Sequence, residues 1–427
     1  MDGIILFNWL ISIIFTICYA YQFFYIFVGL RKKKKLADAQ NQHRYAVVIC
    51  ARNEQNVIGN LIKSVHNQDY SKKLIDIFVI ADNCSDNTAA IARKSGAYVY
   101  ERFDKIHCGK GYALDWFFKR LKNAGEDKAY DAYIIFDADN VLDTAFVSEM
   151  NKVFDKGYKI ITSYRNSKNY GKNWITAGYS LWFLREAKYL NNARMQLGTS
   201  CAISGTGFLV SREIIDKNNG WIHHLLTEDI EFTVDSIINN EIIGYSAGSI
   251  LYDEQPEKLS QSCRQRMRWA KGFYQVVGKY GKSLVKGIFG GSFACYDMLM
   301  TIFPALVFTL LTGVVSLAQF IYGCTILSGT TTLNVFLIHC VLPTVSQFTM
   351  LYVLMLAVGF ITLSTEWSVI RCEGWRKVLH LFTFPVFMIT YMPIAIVAFF
   401  KKVEWTPITH KVTTTIDDIN EDSENKE

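Results

Sequence analysis

The chain has 427 residues, 50% of them hydrophobic and 20% charged, a balance that excludes a disordered polymer. Residues 3–30 and 298–365 contain no Asp, Glu, Lys or Arg, which is not how a single soluble domain is built. The composition predicts a membrane protein with a large aqueous domain between its apolar stretches. The ten cysteines form no CxxC pair and no zinc-finger spacing, which fits small core residues in a reducing compartment. The formal net charge of +6 contains an acidic end, since Val412–Glu427 carries six acids and one lysine and is expected to be solvated and disordered.

Residues 1–30 form the first predicted element, a membrane helix. Gly3–Leu30 is uncharged, and ~20 apolar residues suffice to cross a bilayer. The basic run Arg31–Lys35 follows this stretch instead of preceding it, which argues for a retained anchor and against a cleaved signal. Basic residues favour the cytoplasm, so the N-terminus is expected outside and residues 31–255 in the cytosol.

Within 31–255, short apolar runs alternate with helical spacing. Tyr45–Cys50, Ile75–Ile80, Ala97–Tyr100 and Tyr133–Phe136 read as buried parallel strands, and Tyr158–Ser163 and Gly207–Val210 look similar. Between them, Glu54–His66, Ser85–Lys94, Gly111–Lys122 and Thr144–Phe154 have helical periodicity. The alternation predicts an α/β sandwich around a mostly parallel sheet. Ligands of such sheets bind beyond the carboxyl ends of the strands, so polar residues just after each apolar run are the candidates.

Those residues are Ala51-Arg52-Asn53-Glu54, Ala81-Asp82-Asn83, and Asp137-Ala138-Asp139. Asp137 and Asp139 can cap the next helix, or both can reach one hard cation such as Mg²⁺ or Mn²⁺. Asp82 can accept hydrogen bonds from a base or ribose, while Asp86 caps the following helix. Thr227-Glu228-Asp229 opens a helical run, and Thr227 suits an N-cap. Lys110-Gly111 is a possible phosphate contact, and Gly205-Thr206-Gly207 a tight turn. No GxGxxG or Walker A motif is present, and no nucleic-acid recognition motif appears.

Residues 256–290 read as a basic amphipathic interface helix in which Arg264, Arg266 and Arg268 surround Trp269. A guanidinium suits a diphosphate. Residues 291–400 hold three apolar stretches, roughly Ile302–Cys324, Val335–Leu363 and Val378–Phe400, the last with Pro385 and Pro393 and therefore able to cross, kink or re-enter. Residues 401–427 are a polar tail.

The ordered set ARNE (51–54), ADNCSDNT (81–88), GKGYAL (109–114), DAD (137–139), GTG (205–207), TED (227–229) and QRMRW (265–269) resembles the inverting glycosyltransferases of family 2. With its flanking apolar stretches the chain looks like the membrane-bound synthases of cellulose, hyaluronan, chitin and poly-N-acetylglucosamine. The resemblance implies a Rossmann-like GT-A domain with a transmembrane helical region. It implies that Glu54 and Asp82 hold the uridine of a UDP-sugar, and that Asp137 and Asp139 hold the diphosphate with Mg²⁺ or Mn²⁺. Asp229 would be the catalytic base. Gln265, Arg268 and Trp269 would bind diphosphate and acceptor, with Lys110 as a further contact. The segment Lys401–His410 would sit at the mouth of the site.

The implied activity is β-linked polysaccharide synthesis coupled to export at the plasma membrane, with an accessory export subunit among the partners. The alternative is transfer of one or two sugars to a membrane lipid. A transporter or receptor with a degenerate transferase domain is the non-enzymatic reading, which the intact motifs oppose.

Overall fold

The computed structural model describes residues 2–31, 36–327, 337, 341–404, 410 and 412–419. The first helix, α1 (Asp2–Leu30), is uncharged after Asp2 and turns Trp9, Ile17, Phe24 and Phe27 outward while Tyr25 and Val28 are buried. The aqueous domain is built on one eight-stranded sheet in the order β3-β2-β1-β4-β7-β6-β8-β5. Its strands are β1 (Tyr45–Ala51), β2 (Ile75–Asp82), β3 (Tyr98–Arg102), β4 (Ala132–Asp137), β5 (Val141–Leu142), β6 (Ile160–Ser167), β7 (Phe208–Ser211) and β8 (Ile243–Asp253).

The central strand β1 is flanked on both sides and reads as an unbroken apolar run for that reason. Strands β3, β2, β1 and β4 are parallel, as the alternation predicts. Beyond β4 the sheet is mixed: β6 and β8 pair in parallel, but two strands run against their neighbours. β7 runs antiparallel to both β4 and β6, and β5 antiparallel to β8. A short apolar run such as Gly207–Val210 satisfies either direction, because burial sets its composition and connectivity sets its polarity. β3 also differs from a buried strand: it lies at the sheet edge and exposes Tyr98.

Helices α2 (Ile58–His66), α3 (Thr88–Lys94), α4 (Lys110–Asn123) and α5 (Phe146–Phe154) cover the sheet. Two apolar clusters, one through Val48, Phe78, Phe117 and Tyr133 and one through Val47, Ile62, Ile134 and Val147, fill the two faces. Alternate residues of β1 point to opposite clusters, the period-two signature of a strand.

α6 (Trp174–Arg185) continues without a break through a π-helical turn, Glu186–Asn191, into α7 (Asn192–Leu197). After α8 (Arg212–Lys217), α9 (Glu228–Ile238) carries the TED sequence at its start, and α10 (Leu259–Phe289) runs for 31 residues with QRMRW in its first half. α11 (Phe293–Ile302), α12 (Pro304–Leu327), α13 (Leu342–Thr365), α14 (Gly374–Ile389) and α15 (Tyr391–Phe400) follow.

Among the described residues three helical stretches are long and apolar enough to cross a membrane: Trp9–Leu30, Thr344–Thr365 and Gly374–Phe400. The last bends at Thr390, where Pro393 cannot donate to the preceding turn, so the predicted third stretch is two helices. Part of the predicted Val335–Leu363 stretch, and most of the basic run Arg31–Lys35, lie outside the described residues.

The aqueous domain is fastened to the membrane region by close packing. Gly178 on α6 admits the Phe387 ring of α14, since a Cβ there would stand 2.3 Å from the ring. Arg266 donates to the Phe387 carbonyl at 3.1 Å and to Thr390 Oγ1 at 2.9 Å. Arg194 of α7 and Asp297 of α11 form a fully buried ion pair, joined by the Tyr21 and Tyr25 hydroxyls of α1.

The acidic tail is not wholly solvated, contrary to its composition. Ile416 and Ile419 are buried against Val141 and Tyr252, and Lys63 pairs with Asp417 at 2.8 Å. The two isoleucines supply the apolar burial that net charge conceals.

Candidate active site

The register of the sheet decides where chemistry can gather. Cys50 of β1 lies beside Asp137 of β4, and Ala51 beside Ala81 of β2, so these three strands end level with one another. The residues that follow, Arg52 to Glu54, Asp82, and Asp137 to Asp139, therefore emerge together. All nine candidates, Glu54, Asp82, Lys110, Asp137, Asp139, Asp229, Gln265, Arg268 and Trp269, line a single cleft at this edge.

Asp82 ends β2, and its Oδ1 accepts from Arg102 Nη1 at 2.6 Å and Asn83 Nδ2 at 2.9 Å. Burial nonetheless raises its pKa, the arginine working in the other direction. Asp86 plays the local part expected of it, accepting from the Thr88 amide at 3.0 Å. Glu54 is buried; its Oε1 meets His410 Nδ1 at 2.9 Å, and its Oε2 has no hydrogen-bond partner. Burial pushes the Glu54 carboxyl up to about 7.

Asp137 and Asp139 differ in their surroundings. Lys110, the first residue of α4, donates to Asp137 Oδ1 and to the Gly205 carbonyl, each at 2.7 Å. Gly111 next to it lets the His223 backbone pack against the start of α4, since a Cβ there would lie 2.2 Å from the His223 carbonyl oxygen. Burial would lower the Lys110 pKa, but Asp137 and Glu228 outweigh it and hold the ammonium charged. Asp139 is more enclosed: its carbonyl accepts from Lys168 at 2.6 Å and its Oδ2 from the Glu254 amide at 3.2 Å. His410 Nε2 stands 3.8 Å from the same oxygen. Burial would raise the Asp139 carboxyl, but His410 and Lys168 hold it below the usual value.

These oxygens fit a hard divalent cation. Asp137 and Asp139 face the cleft together, and the orphaned Glu54 Oε2 marks unsatisfied acceptor capacity beside them. Among the described residues no three His, Cys, Asp or Glu side chains cluster tightly enough to chelate a metal alone. The protein would supply two carboxylates and leave other positions to phosphate oxygens and water, the pattern Mg²⁺ favours.

Glu228 and Asp229, which line the same cleft, begin α9, where acidic side chains suit the helix dipole. Thr227 Oγ1 is buried without a partner, so the helix is not capped by that hydroxyl as its sequence suggests. Burial and the neighbouring Asp229 push Glu228 up to about 7, and burial raises Asp229 as well. From α10, Gln265, Arg268 and Trp269 reach the cleft at the i, i+3, i+4 spacing of one helix face. Gln265 Oε1 is buried and unbonded. Trp269 packs edge-on to Tyr179 at 5.7 Å.

Several lining residues were not singled out in the sequence: Arg165, Trp182, Phe183, Glu186, Asp253 and His410. Arg165 and Asp253 sit near the ends of β6 and β8 and form an ion pair, so the strand-end rule that found Asp82 also points to them. No sequence signal marks Glu186. His410 ends the Lys401–His410 segment expected at the mouth and does line the cleft; residues 405–409 lie outside the described ones.

Residues 43–272, more than half of the chain, match the family described as "Glycosyltransferase like family 2". The chain belongs to this family. This glycosyltransferase is 28% identical over 250 residues to a probable glycosyltransferase, YdaM, of Bacillus subtilis, covering 56% of this chain and 57% of that one. It is 24% identical to the beta-monoglucosyldiacylglycerol synthase of Trichormus variabilis over 60% of this chain and 54% of the relative. It is 23% identical to the poly-beta-1,6-N-acetyl-D-glucosamine synthase of Staphylococcus epidermidis over 60% and 61%. The matched region thus spans little more than half the length of these relatives.

The fold is shared with a mannosyltransferase of Pyrobaculum calidifontis solved with GDP-Man and Mn²⁺, at a TM-score of 0.59 and 11% identity, covering 93% of this chain and 99% of that one. The glycosyltransferase therefore combines a GT-A domain with a membrane-spanning helical region.

Proposed function

We propose that this family 2 glycosyltransferase uses UDP-glucose or UDP-N-acetylglucosamine and builds a β-linked glycan processively for export, with its catalytic domain on the cytosolic side of the plasma membrane. The observation that carries the reading is the shared cleft, which brings Glu54, Asp82, Asp137 and Asp139 from the strand ends together with Asp229, Arg268 and Trp269 from α9 and α10, the latter helix bonded to α14 through Arg266.

Glu54 and Asp82 would receive the uridine. Asp137 and Asp139 would hold Mg²⁺ or Mn²⁺, which when bound supplies a positive counter-charge for the donor diphosphate. Asp229 takes the proton of the acceptor hydroxyl as that oxygen attacks the anomeric carbon. The bond from that carbon to the diphosphate breaks on the opposite side, so an α-linked donor gives a β-linked product. Positioned base catalysis of this kind contributes about 10²–10⁴-fold. Lys110 and Arg268 stabilise charge gathering on the leaving diphosphate, being aimed into the cleft before reaction. The raised Asp229 pKa suits a base closer to neutrality than an exposed aspartate.

The beta-monoglucosyldiacylglycerol synthase among the relatives favours a second reading, transfer of one or two sugars to a lipid. Incubation of the protein in lipid with each UDP-sugar and Mg²⁺ or Mn²⁺, followed by sizing of the product, separates the two. A long polymer supports synthesis for export. A lipid-soluble product with one or two sugars refutes it.

A further inference from the structure

The cleft-lining residues of α10 are the first part of a longer helix face. Gln265 and Arg268 line the cleft, and Gly272, Gln275 and Lys279 continue their row at alternating steps of four and three residues. These three meet the segment that leads into α9 and Asp229. Gly272 lies so close to Thr227 that a Cβ there would stand 2.5 Å from both Oγ1 and Cγ2. Gln275 Oε1 accepts from the Leu226 amide at 3.3 Å. Lys279 donates to Glu231 Oε1 at 2.6 Å, and the Tyr280 hydroxyl donates to the same oxygen at 3.3 Å. The other oxygen of Glu231, Oε2, accepts from the Leu225 amide at 2.8 Å.

A helix start is ordinarily held by its own N-cap side chain, and Thr227 is of the right type. Its hydroxyl is buried without a partner, so that cap is not made. Glu231 supplies a substitute. From the first turn of α9 it reaches back to an amide ahead of the helix, in the manner of the acid in a capping box. Its second oxygen is tied to α10. The start of α9 is therefore placed by the helix that carries Arg268 and Trp269, and not by a cap of its own.

An ion pair made only for stability is the simpler account of Glu231 and Lys279. Their exposures oppose it, since the Glu231 side chain is 1% exposed and that of Lys279 51%. Burying a carboxylate is costly, and a half-exposed lysine returns little for it. What the arrangement supplies is geometry: three donors from two elements converge on a carboxylate two residues from Asp229. Glu231 is not among the residues that line the cleft, so contact with a substrate does not explain it either.

We propose that Glu231 is a positioning residue for the catalytic base: by holding the Leu225 amide on one oxygen and Lys279 on the other, it fixes Asp229 relative to Arg268. The proposal rests on Asp229 as the base. Glu231 touches no reacting atom and exchanges no proton with substrate. A misplacement of about 1 Å at a reacting group can cost about 10²-fold in rate, which is the scale on which such a link acts.

The test uses full-length protein in lipid nanodiscs with radiolabelled UDP-glucose or UDP-N-acetylglucosamine, and alters the two ends of the link separately. Glu231→Gln keeps the size but has only one acceptor oxygen for Leu225 and Lys279, and its kcat should fall by about 10–100-fold. Lys279→Met, at a half-exposed position that folding tolerates better, should lower kcat in the same way, and Lys279→Arg should largely keep it. In each variant the KM for the UDP-sugar and the calorimetric affinity for UDP should stay unchanged. In an Asp229→Asn background, Glu231→Gln should cost no further activity, because it acts through that aspartate.

Full kcat in both Glu231→Gln and Lys279→Met overturns the proposal. So does a loss of UDP affinity in step with kcat, which is the mark of a general loss of structure, or an additive loss on top of Asp229→Asn. The two assignments fail differently. If Asp229→Asn transfers sugar at the rate of the unaltered protein, the base assignment falls and this proposal with it. If Asp229→Asn is inactive while Glu231→Gln and Lys279→Met run at full rate, the proposal alone falls.

Discussion

Replacing Asp297 by Asn tests how the catalytic domain is tied to the membrane. Asp297 receives Arg194 Nε at 2.7 Å and Nη2 at 2.8 Å, and the Tyr21 and Tyr25 hydroxyls at 2.8 Å each. The pair is sealed from solvent, with both side chains 2% exposed. Asparagine keeps the shape and one acceptor oxygen but removes the charge, leaving the guanidinium buried and uncompensated. Breaking a buried pair in this way costs about 3–5 kcal/mol.

The assay is denaturant unfolding in detergent, followed by tryptophan fluorescence. Asp297→Asn and Arg194→Met should each lose about 3–5 kcal/mol. The double variant Arg194→Met with Asp297→Leu should recover much of the loss, because no charge is then stranded. Loss of transfer should accompany either single change, since Arg194 belongs to the helix that continues the Glu186 turn. If Asp297→Asn lies within about 0.5 kcal/mol of the unaltered protein, the pair is not a tether and the reasoning is refuted.

Three further outcomes follow from the cleft and a fourth from the packing at Gly178. Asp229 must be ionised to act, and its folded pKa is raised, so kcat/KM should be full above that pKa and fall as the pH drops through it. Glu228→Gln removes a neighbouring negative charge, so this acid limb should move to lower pH in a pH–rate profile. Lys110→Met removes the ammonium shared by Asp137 and the Gly205 carbonyl and should lower kcat/KM for the UDP-sugar by about 10–100-fold, measured by steady-state kinetics. Gly178→Ala puts a methyl group into the Phe387 ring, and the overpacking should cost about 1–3 kcal/mol in thermal or denaturant unfolding.

The site was largely legible because its residues follow buried strands. Glu54, Asp82, Asp137 and Asp139 stand just past runs whose apolarity shows their burial, and level strand ends turn sequence position into proximity. The same rule reaches Arg165 and Asp253 only once the strands are known, since β6 runs on through polar residues beyond Ser163 and β8, with its glycines and serines, does not read as a strand. The direction of β7 was equally hidden, because four buried residues carry no sign of polarity. Glu186 had no local signal: it reaches the cleft from a π turn whose neighbours Arg185 and Tyr189 bond α1 and α13, contacts distant in sequence. His410 is likewise brought to Glu54 from 356 residues away.

The central claim is that Asp229 is the base and the strand ends are the donor site. The direct measurement is Asp229→Asn, assayed side by side for UDP affinity by calorimetry and for sugar transfer from UDP-glucose and UDP-N-acetylglucosamine. The account predicts unchanged UDP affinity and a loss of transfer of about 10²–10⁴-fold. Transfer near the rate of the unaltered protein, or loss of UDP binding together with activity, would contradict it.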